Sequence, residues 1–148
     1  MTHDITIRAI HAGDRADWQK LWTAYLEFYE SSVPAGVYET TFARLIDPSR
    51  AQQCGALAVM DGAPVGLVHW IIHPHNWKHE DVVYLQDLFA DPAVRGKGIG
   101  RALIEHVYAQ ADAAGTPTVY WLTQEFNADA RKLYDRIATL TPFIKYNR

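Results

Sequence analysis

The segment Asp91-Pro92-Ala93-Val94-Arg95-Gly96-Lys97-Gly98-Ile99-Gly100-Arg101 constrains the fold of this chain most, because it sets glycines and cations between a strand-like run and a helix-like run. Upstream, Val82-Val83-Tyr84-Leu85-Gln86-Asp87-Leu88-Phe89 reads as a strand. From Ile99 onward, Leu103, Ile104, Val107, Tyr108 and Ala111 recur at helical spacing. Where such a loop becomes a helix, backbone N–H groups point outward and glycines let anion oxygens come close to them. Arg95, Lys97 and Arg101 supply local positive charge in a chain of net charge -3. A diphosphate-bearing cofactor is the guest that this segment predicts.

Two familiar glycine loops fail against the spacing. A P-loop starting at Gly96 requires Gly-Lys-Ser/Thr from its sixth position, where Arg101, Ala102 and Leu103 stand. The dinucleotide fingerprint requires a small residue at the place of Arg101. The pattern that fits is Arg-x-x-Gly-x-Gly, met by Arg95, Gly98 and Gly100, with an ordinary glycine-rich turn as the plain alternative. It resembles the acetyl-CoA loop of the GNAT superfamily of N-acetyltransferases. The resemblance implies acetyl-CoA as co-substrate, held along Arg95, Gly96, Lys97, Gly98, Ile99, Gly100 and Arg101.

The length of 148 residues suits one domain over 1–148, which by size scaling buries roughly 70% of its unfolded surface. Cys54, as the single cysteine, closes no intrachain disulfide, and no apolar run reaches the ~18 residues of a membrane span. Met1-Thr2-His3-Asp4 lacks the basic-then-apolar layout of a secretory leader. These features lead to the expectation of a cytoplasmic protein without a membrane partner. The acidic balance argues against nucleic acid as a partner.

Along the chain, Ile5, Ile7 and Ala9 suggest a first strand before Gly13-Asp14. A helix then carries Trp18, Leu21, Trp22, Tyr25, Phe28 and Tyr29 on one aromatic face. The first three read as core, and the last three as core or as the wall of a substrate cleft. Thr40 to Ile46 predicts a short second helix after Pro34 and Gly36. Cys54–Met60 and Val65–Ile72 flank Asp61-Gly62-Ala63-Pro64 as a hairpin. Thr118–Thr123 follows as a strand, Asn127–Ile137 as a helix and Phe143–Tyr146 as a final strand. This order predicts an α/β fold: a mixed, largely antiparallel sheet with helices on both faces, parallel near the cofactor helix.

Tyr134 lies seven residues beyond Asn127, two turns along one helix face. Taken alone, these residues read as an N-cap and a buried tyrosine. The stretch from Tyr120 to Asn127, then Leu133-Tyr134, resembles the part of GNAT enzymes where an Asn meets the pantetheine arm and a Tyr approaches the thioester sulfur. Tyr84-Leu85-Gln86-Asp87-Leu88-Phe89 before the glycine loop is similar to diamine and polyamine acetyltransferases, and Thr116 to Trp121 to Hpa-type enzymes. The resemblance implies that Leu88, Phe89 and Ala90 bind pantetheine as a strand would, and that a backbone N–H near Leu88 serves the oxyanion. It also implies a homodimer. Two departures stand out: Gln86 replaces a usual Glu, and Ile137-Ala138-Thr139 replaces a Gly-Phe turn.

An attacking amine must lose a proton, and a lysine-like amine has a pKa of about 10.4. Gln86 cannot accept it, and strand alternation sends Asp87 to the opposite face, so Glu125, Glu27 and Glu30 remain as ends of a water chain. Tyr134 is the expected donor to the leaving sulfur. His73, His75 and His79 in the loop before the central strand could hold zinc but lack a fixed third ligand, so no metal is expected. Their plain reading is a polar loop, and the functional alternative is that this loop, near the amine entrance, contributes Trp77 or a histidine to substrate recognition. His69 and His106 read as packing or surface residues, and Cys54 as a buried apolar one. The expected reaction is direct attack of a small primary amine (polyamine, diamine or amino acid) on acetyl-CoA. A protein or histone lysine acetyltransferase and a non-catalytic CoA sensor are the competing classes.

Overall fold

The computed structural model describes residues 4–148; Met1-Thr2-His3, read above for a leader pattern, lies outside them. Its elements are β1 (Ile5–Ala9), α1 (Arg15–Phe28), α2 (Ala35–Ile46), β2 (Gln53–Met60), β3 (Ala63–His73), β4 (Val82–Ala90), α3 (Ile99–Ala113), β5 (Val119–Tyr120) and α4 (Ala128–Ile137). The sheet runs in chain order, β1 to β5, antiparallel at its first three pairings and parallel at β4–β5. That is the mixed, mostly antiparallel α/β sheet which the alternation of strand and helix patterns predicts.

Each face of the sheet has its own core. Trp18, Leu21 and Trp22 of α1 and Phe42 of α2 pack with Leu57, Leu67 and Phe89. Leu103, Ile104 and Val107 of α3 cover Ala56, Val68, Val83 and Leu85 on the opposite face. Burying each such Leu, Ile or Val side chain is worth about 1.5–3 kcal/mol. The entry to α1 is fixed by a two-pronged Arg8–Asp14 contact of 2.8 and 2.9 Å, while Asp14 also accepts the His11 N–H at 2.7 Å.

Where α3 meets β3, a Cβ on Gly66 would stand 2.8 Å from the Phe89 carbonyl and 2.9 Å from Ile99 Cγ2. The bare backbone at Gly66 therefore lets the start of α3 dock on the sheet, which holds the glycine loop at the C-terminal end of β4.

Three expectations need correction. The second helix begins at Ala35, just after Pro34, because proline suits the entry of a helix and Gly36 is tolerated in its first turn. The strand expected over Thr118–Thr123 is reduced to two residues, because β5 leaves β4 after the Tyr84–Tyr120 pair. Phe143–Tyr146 forms no strand: residues 138–148 lie beyond α4 without a ladder partner. Leu140, Phe143, Ile144 and Tyr146 are consequently between 71% and 87% exposed.

Candidate active site

The loop expected to hold phosphate is built as its sequence suggests. After a short 3-10 turn at Pro92–Val94, Gly96 and Gly98 adopt φ of +82° and +80°, a left-handed conformation that a residue with a Cβ rarely takes. A Cβ at either would meet nothing within 4 Å, so the space over both is open. The first bond within α3 runs from the Ala102 N–H to the Gly98 carbonyl at 3.0 Å. The N–H groups of Ile99, Gly100 and Arg101 thus have no acceptor inside the helix, and the helix dipole favours an anion there. A Cβ at Gly100, by contrast, would come into ordinary contact with Leu133 Cδ2 of α4 at 3.7 Å. Of the cations, Arg95 lies 5.8 Å from the Phe28 ring centroid, Arg101 bonds Glu105 at 2.7 Å, and Lys97 is exposed.

Beyond Tyr84, β4 has no β5 partner, so the outer backbone edge of Leu85 to Ala90 is open to an extended ligand. Leu88, Phe89 and Ala90 lie on that edge. An acetyl-CoA molecule fits these features: donors for its pyrophosphate over Gly96 and Gly98, and a free strand edge for its amide arm.

Tyr134 stands on α4 across this gap. Its ring meets Trp121 edge to face at 5.3 Å, and burial, then the nearby Tyr29, push its phenol up to about 12. The phenol is therefore protonated, and able to donate, throughout the neutral range. Asn127 lies just before α4 and donates from Nδ2 to Thr123 Oγ1 at 3.2 Å, with no side-chain cap on the helix. Glu125 is exposed in the β5–α4 connection, and Arg131 bonds its backbone carbonyl at 2.6 Å.

The largest difference from the sequence reading is at Gln86 and Asp87. Simple alternation would set Asp87 on the α3 face with Val83 and Leu85. The β3–β4 ladder instead pairs Trp70 with Leu85 and His69 with Asp87, so Gln86 is the extra residue of a bulge. The bulge shifts the phase of the strand. Leu88 packs with the α3 core, Phe89 with the α1 core, and Asp87 turns to α1, while Gln86 is exposed.

Asp87 Oδ2 accepts from Trp22 Nε1 at 3.3 Å and bonds His69 Nδ1 at 2.8 Å, leaving the carboxylate 13% exposed. Tyrosines surround it. Burial first, and Asp87 second, raise Tyr25 far above its ordinary range and raise Tyr29 as well. Tyr84 is raised by burial, by Tyr120 and by Asp87. Tyr25 and Tyr29 touch edge to face at 5.1 Å, whereas Tyr84 stacks on Tyr120 at 5.0 Å. His73 Nδ1 meets the Pro74 carbonyl and Nε2 the Tyr120 hydroxyl, each at 2.8 Å, which closes the outer side. One carboxylate walled by phenol rings is an environment for a small cation, since ring faces and the anion both attract it.

Sequence reading missed Asp87, His69 and Trp22 as a group. The one available signal was the acid of the Gln86-Asp87 pair, and alternation misdirected it. Among the described residues no group of three or more His, Cys, Asp or Glu could hold a metal. His75 Nδ1 accepts the Trp77 N–H, and the Cys54 thiol, raised by burial, donates to the Ala51 carbonyl. Among the described residues no helix is long and apolar enough to cross a membrane.

Known proteins agree with this architecture. D-amino-acid N-acetyltransferase HPA3 of Saccharomyces cerevisiae is 42% identical over 146 residues, 97% of this chain and 90% of that protein. The crystal structure of ribosomal-protein-alanine N-acetyltransferase from Brucella melitensis superposes with a TM-score of 0.81 at 22% identity, covering 99% of both chains. Aminoglycoside N-acetyltransferase AAC(6')-Iy in complex with CoA does so with a TM-score of 0.85 at 18% identity, covering 100% of this chain and 96% of the other. At those identities the two structures speak for the fold alone. The sequence profile of the acetyltransferase (GNAT) family matches residues 18–138. The chain belongs to this family and is an acetyl-CoA-dependent N-acetyltransferase.

Proposed function

We propose that the enzyme, as one N-acetyltransferase domain over residues 1–148, acetylates a small primary amine, with amino acids foremost and diamines or polyamines next. The observation that carries this reading is the Asp87 carboxylate among Tyr25, Tyr29 and Tyr84 at the splayed end of β4. The activity of HPA3 on D-amino acids supports the choice of amino acids. The substrate enters as an ammonium attracted to Asp87 and gives up a proton to that carboxylate, directly or through water. Its nitrogen then attacks the acetyl carbonyl carbon, a C–N bond forms, and the C–S bond breaks. A backbone N–H near Leu88, where the bulge opens the strand, faces the developing oxyanion. Tyr134 gives its proton to the leaving sulfur. Gln86 offers an amide beside the amine, and Glu125 is the alternative final proton acceptor.

We read the protein as a cytoplasmic homodimer, supported by the apolar side chains exposed along Leu140–Tyr146. A sedimentation measurement that finds only monomer at micromolar concentration refutes that part. Substrate class is tested with D- and L-amino acids, diamines, polyamines and lysine peptides, scored by free-CoA release and product mass. The expected result is turnover of small amines ahead of peptides. Turnover of peptides alone, or of nothing, overturns the reading.

A further inference from the structure

The Asp87 carboxylate does not stand alone on the α1 face; a histidine and two indoles lie behind it. Trp18 is fully buried and donates from Nε1 to His69 Nε2 at 3.0 Å. An indole N–H can only donate, so His69 Nε2 must accept, and the ring proton resides on Nδ1. That Nδ1–H is 2.8 Å from Asp87 Oδ2 and donates to it. A doubly protonated ring would set an N–H against the Trp18 N–H, so this geometry suits the neutral ring only. Trp22 Nε1 reaches the same oxygen at 3.3 Å. Both ring-nitrogen donors therefore end on Oδ2, and Oδ1 lies outside those two bonds.

We propose that His69 is a positioning residue for the amine step: fixed as its Nδ1–H tautomer by Trp18, it clamps Oδ2 and so aims Oδ1 of Asp87 at the substrate nitrogen. The inference rests on the reading of Asp87 as the amine-binding carboxylate. Other groups facing Asp87 are Tyr25 of α1, which also hydrogen-bonds the carboxylate, Tyr29 beyond it and Tyr84 from β4, all with raised phenols that stay protonated near neutrality. None of them replaces the imidazole: Trp22 reaches the carboxylate from α1 at the longer distance of 3.3 Å, whereas His69 ties it to β3 at 2.8 Å. A carboxylate on a short side chain otherwise swings about its last torsion, and misplacement of a reacting group by an ångström costs rate.

The test uses two substitutions that divide the imidazole between its neighbours. His69→Asn places an amide N–H where Nδ1 stands and keeps the donor to Asp87 while losing the acceptor for Trp18. His69→Gln places an amide oxygen near Nε2 and does the reverse. Positioning predicts that H69Q raises the amine KM and lowers amine kcat/KM by about ten- to hundredfold, with the KM for acetyl-CoA unchanged. H69N restores kcat/KM to within about threefold of wild type, despite the lost bond to Trp18. A purely structural histidine predicts the opposite order, with H69N worse in thermal melting and both variants alike in their two KM values, and that result overturns the inference. If H69Q does not fold, H69N alone decides, because a raised amine KM in folded H69N is the overturning result. Asp87→Asn separates the two levels: wild-type kinetics in D87N refute the reading of Asp87 itself, whereas an impaired D87N beside a normal H69Q refutes only the role of His69.

Discussion

The two faces of the sheet offer different chemistry to a ligand. On the α3 face the described buried side chains are apolar apart from Thr116, which bonds back to the Ala111 carbonyl at 3.3 Å, and the polar groups left open are backbone ones, on the glycine loop and the free edge of β4. On the α1 face, polar side chains enter the core itself: His69 and Asp87 are linked to Trp18 and Trp22. Backbone groups suit a co-substrate whose pyrophosphate and amides are always the same. Side chains suit a variable partner, because one substitution changes charge or shape without disturbing the ladder. The helix α4 connects the two sides, since Tyr134 packs against the α3 core yet feels the Tyr29 of α1.

Tyr134 should therefore give the largest effect that any single atom of the joint can produce. Tyr134→Phe is expected to lower kcat by about ten- to ten-thousandfold with acetyl-CoA affinity nearly intact, as loss of a proton donor does. Because burial lifts this phenol to about 12, the proton is retained below that value, and wild type should show no loss of this donor until pH approaches it. Steady-state kinetics under conditions where chemistry limits turnover decide the point. Wild-type kcat in the Phe variant would make Tyr134 a packing residue against Trp121.

On the backbone-dominated side, shape rather than charge is the sensitive property. Gly98→Val puts a β-branched residue at φ +80° and fills the open space above the loop. Strain of roughly 1–3 kcal/mol and the lost approach to phosphate should together weaken acetyl-CoA binding about ten- to hundredfold or more. Calorimetric titration of the folded variant measures it. Unchanged affinity would remove the loop from the cofactor site and erase the contrast between the faces.

A smaller effect separates scaffold from site. Gly66→Ala forces a Cβ to within 2.8 Å of the Phe89 carbonyl and 2.9 Å of Ile99 Cγ2. Overpacking of this kind costs about 1–3 kcal/mol. It should lower the melting temperature by about 3–10 °C in a domain of this size and weaken acetyl-CoA binding only through the displaced start of α3. A variant as stable as wild type would mean that α3 shifts freely, and the loop would then not be held by this contact.

The same division explains what could be read in the sequence. The loop from Arg95 to Arg101 is contiguous, and its glycines act through local conformation, so pattern alone leads to the left-handed turns at Gly96 and Gly98 and the free N–H groups at the start of α3. The open edge of β4 and the places of Asn127 just before α4 and Tyr134 on it follow once the strand and helix on either side are placed. The α1 side is assembled from distant positions: Trp18 meets His69 across 51 residues and Trp22 meets Asp87 across 65. Such contacts depend on register, and the bulge at Gln86 reverses the side on which Asp87 falls. A period-two reading has no means to foresee one extra residue. Likewise, Phe143–Tyr146 has the composition of a strand, but composition does not bring a segment alongside a sheet edge, and among the described residues it pairs with no strand.

Gln86 is where the two faces meet, and the smallest effect is expected there. It is exposed on the bulge beside Asp87, at the position where the resemblance to diamine and polyamine acetyltransferases implies a Glu. If Asp87 is the proton acceptor, a carboxylate at Gln86 is not needed, and Gln86→Glu should retain amine kcat/KM within about threefold. The added acid would nevertheless titrate beside Asp87, and two neighbouring carboxyls resist being ionised together. The Glu variant should accordingly hold a proton to higher pH, with the acid limb of its pH–rate profile moved upward relative to wild type. Profiles of both proteins across the amine panel decide between the roles. A variant far more active than wild type at every pH would show that Asp87 is a poor substitute for the missing Glu. A wild type inert toward every amine beside an active variant would make the α1 face of this chain a binding site without chemistry.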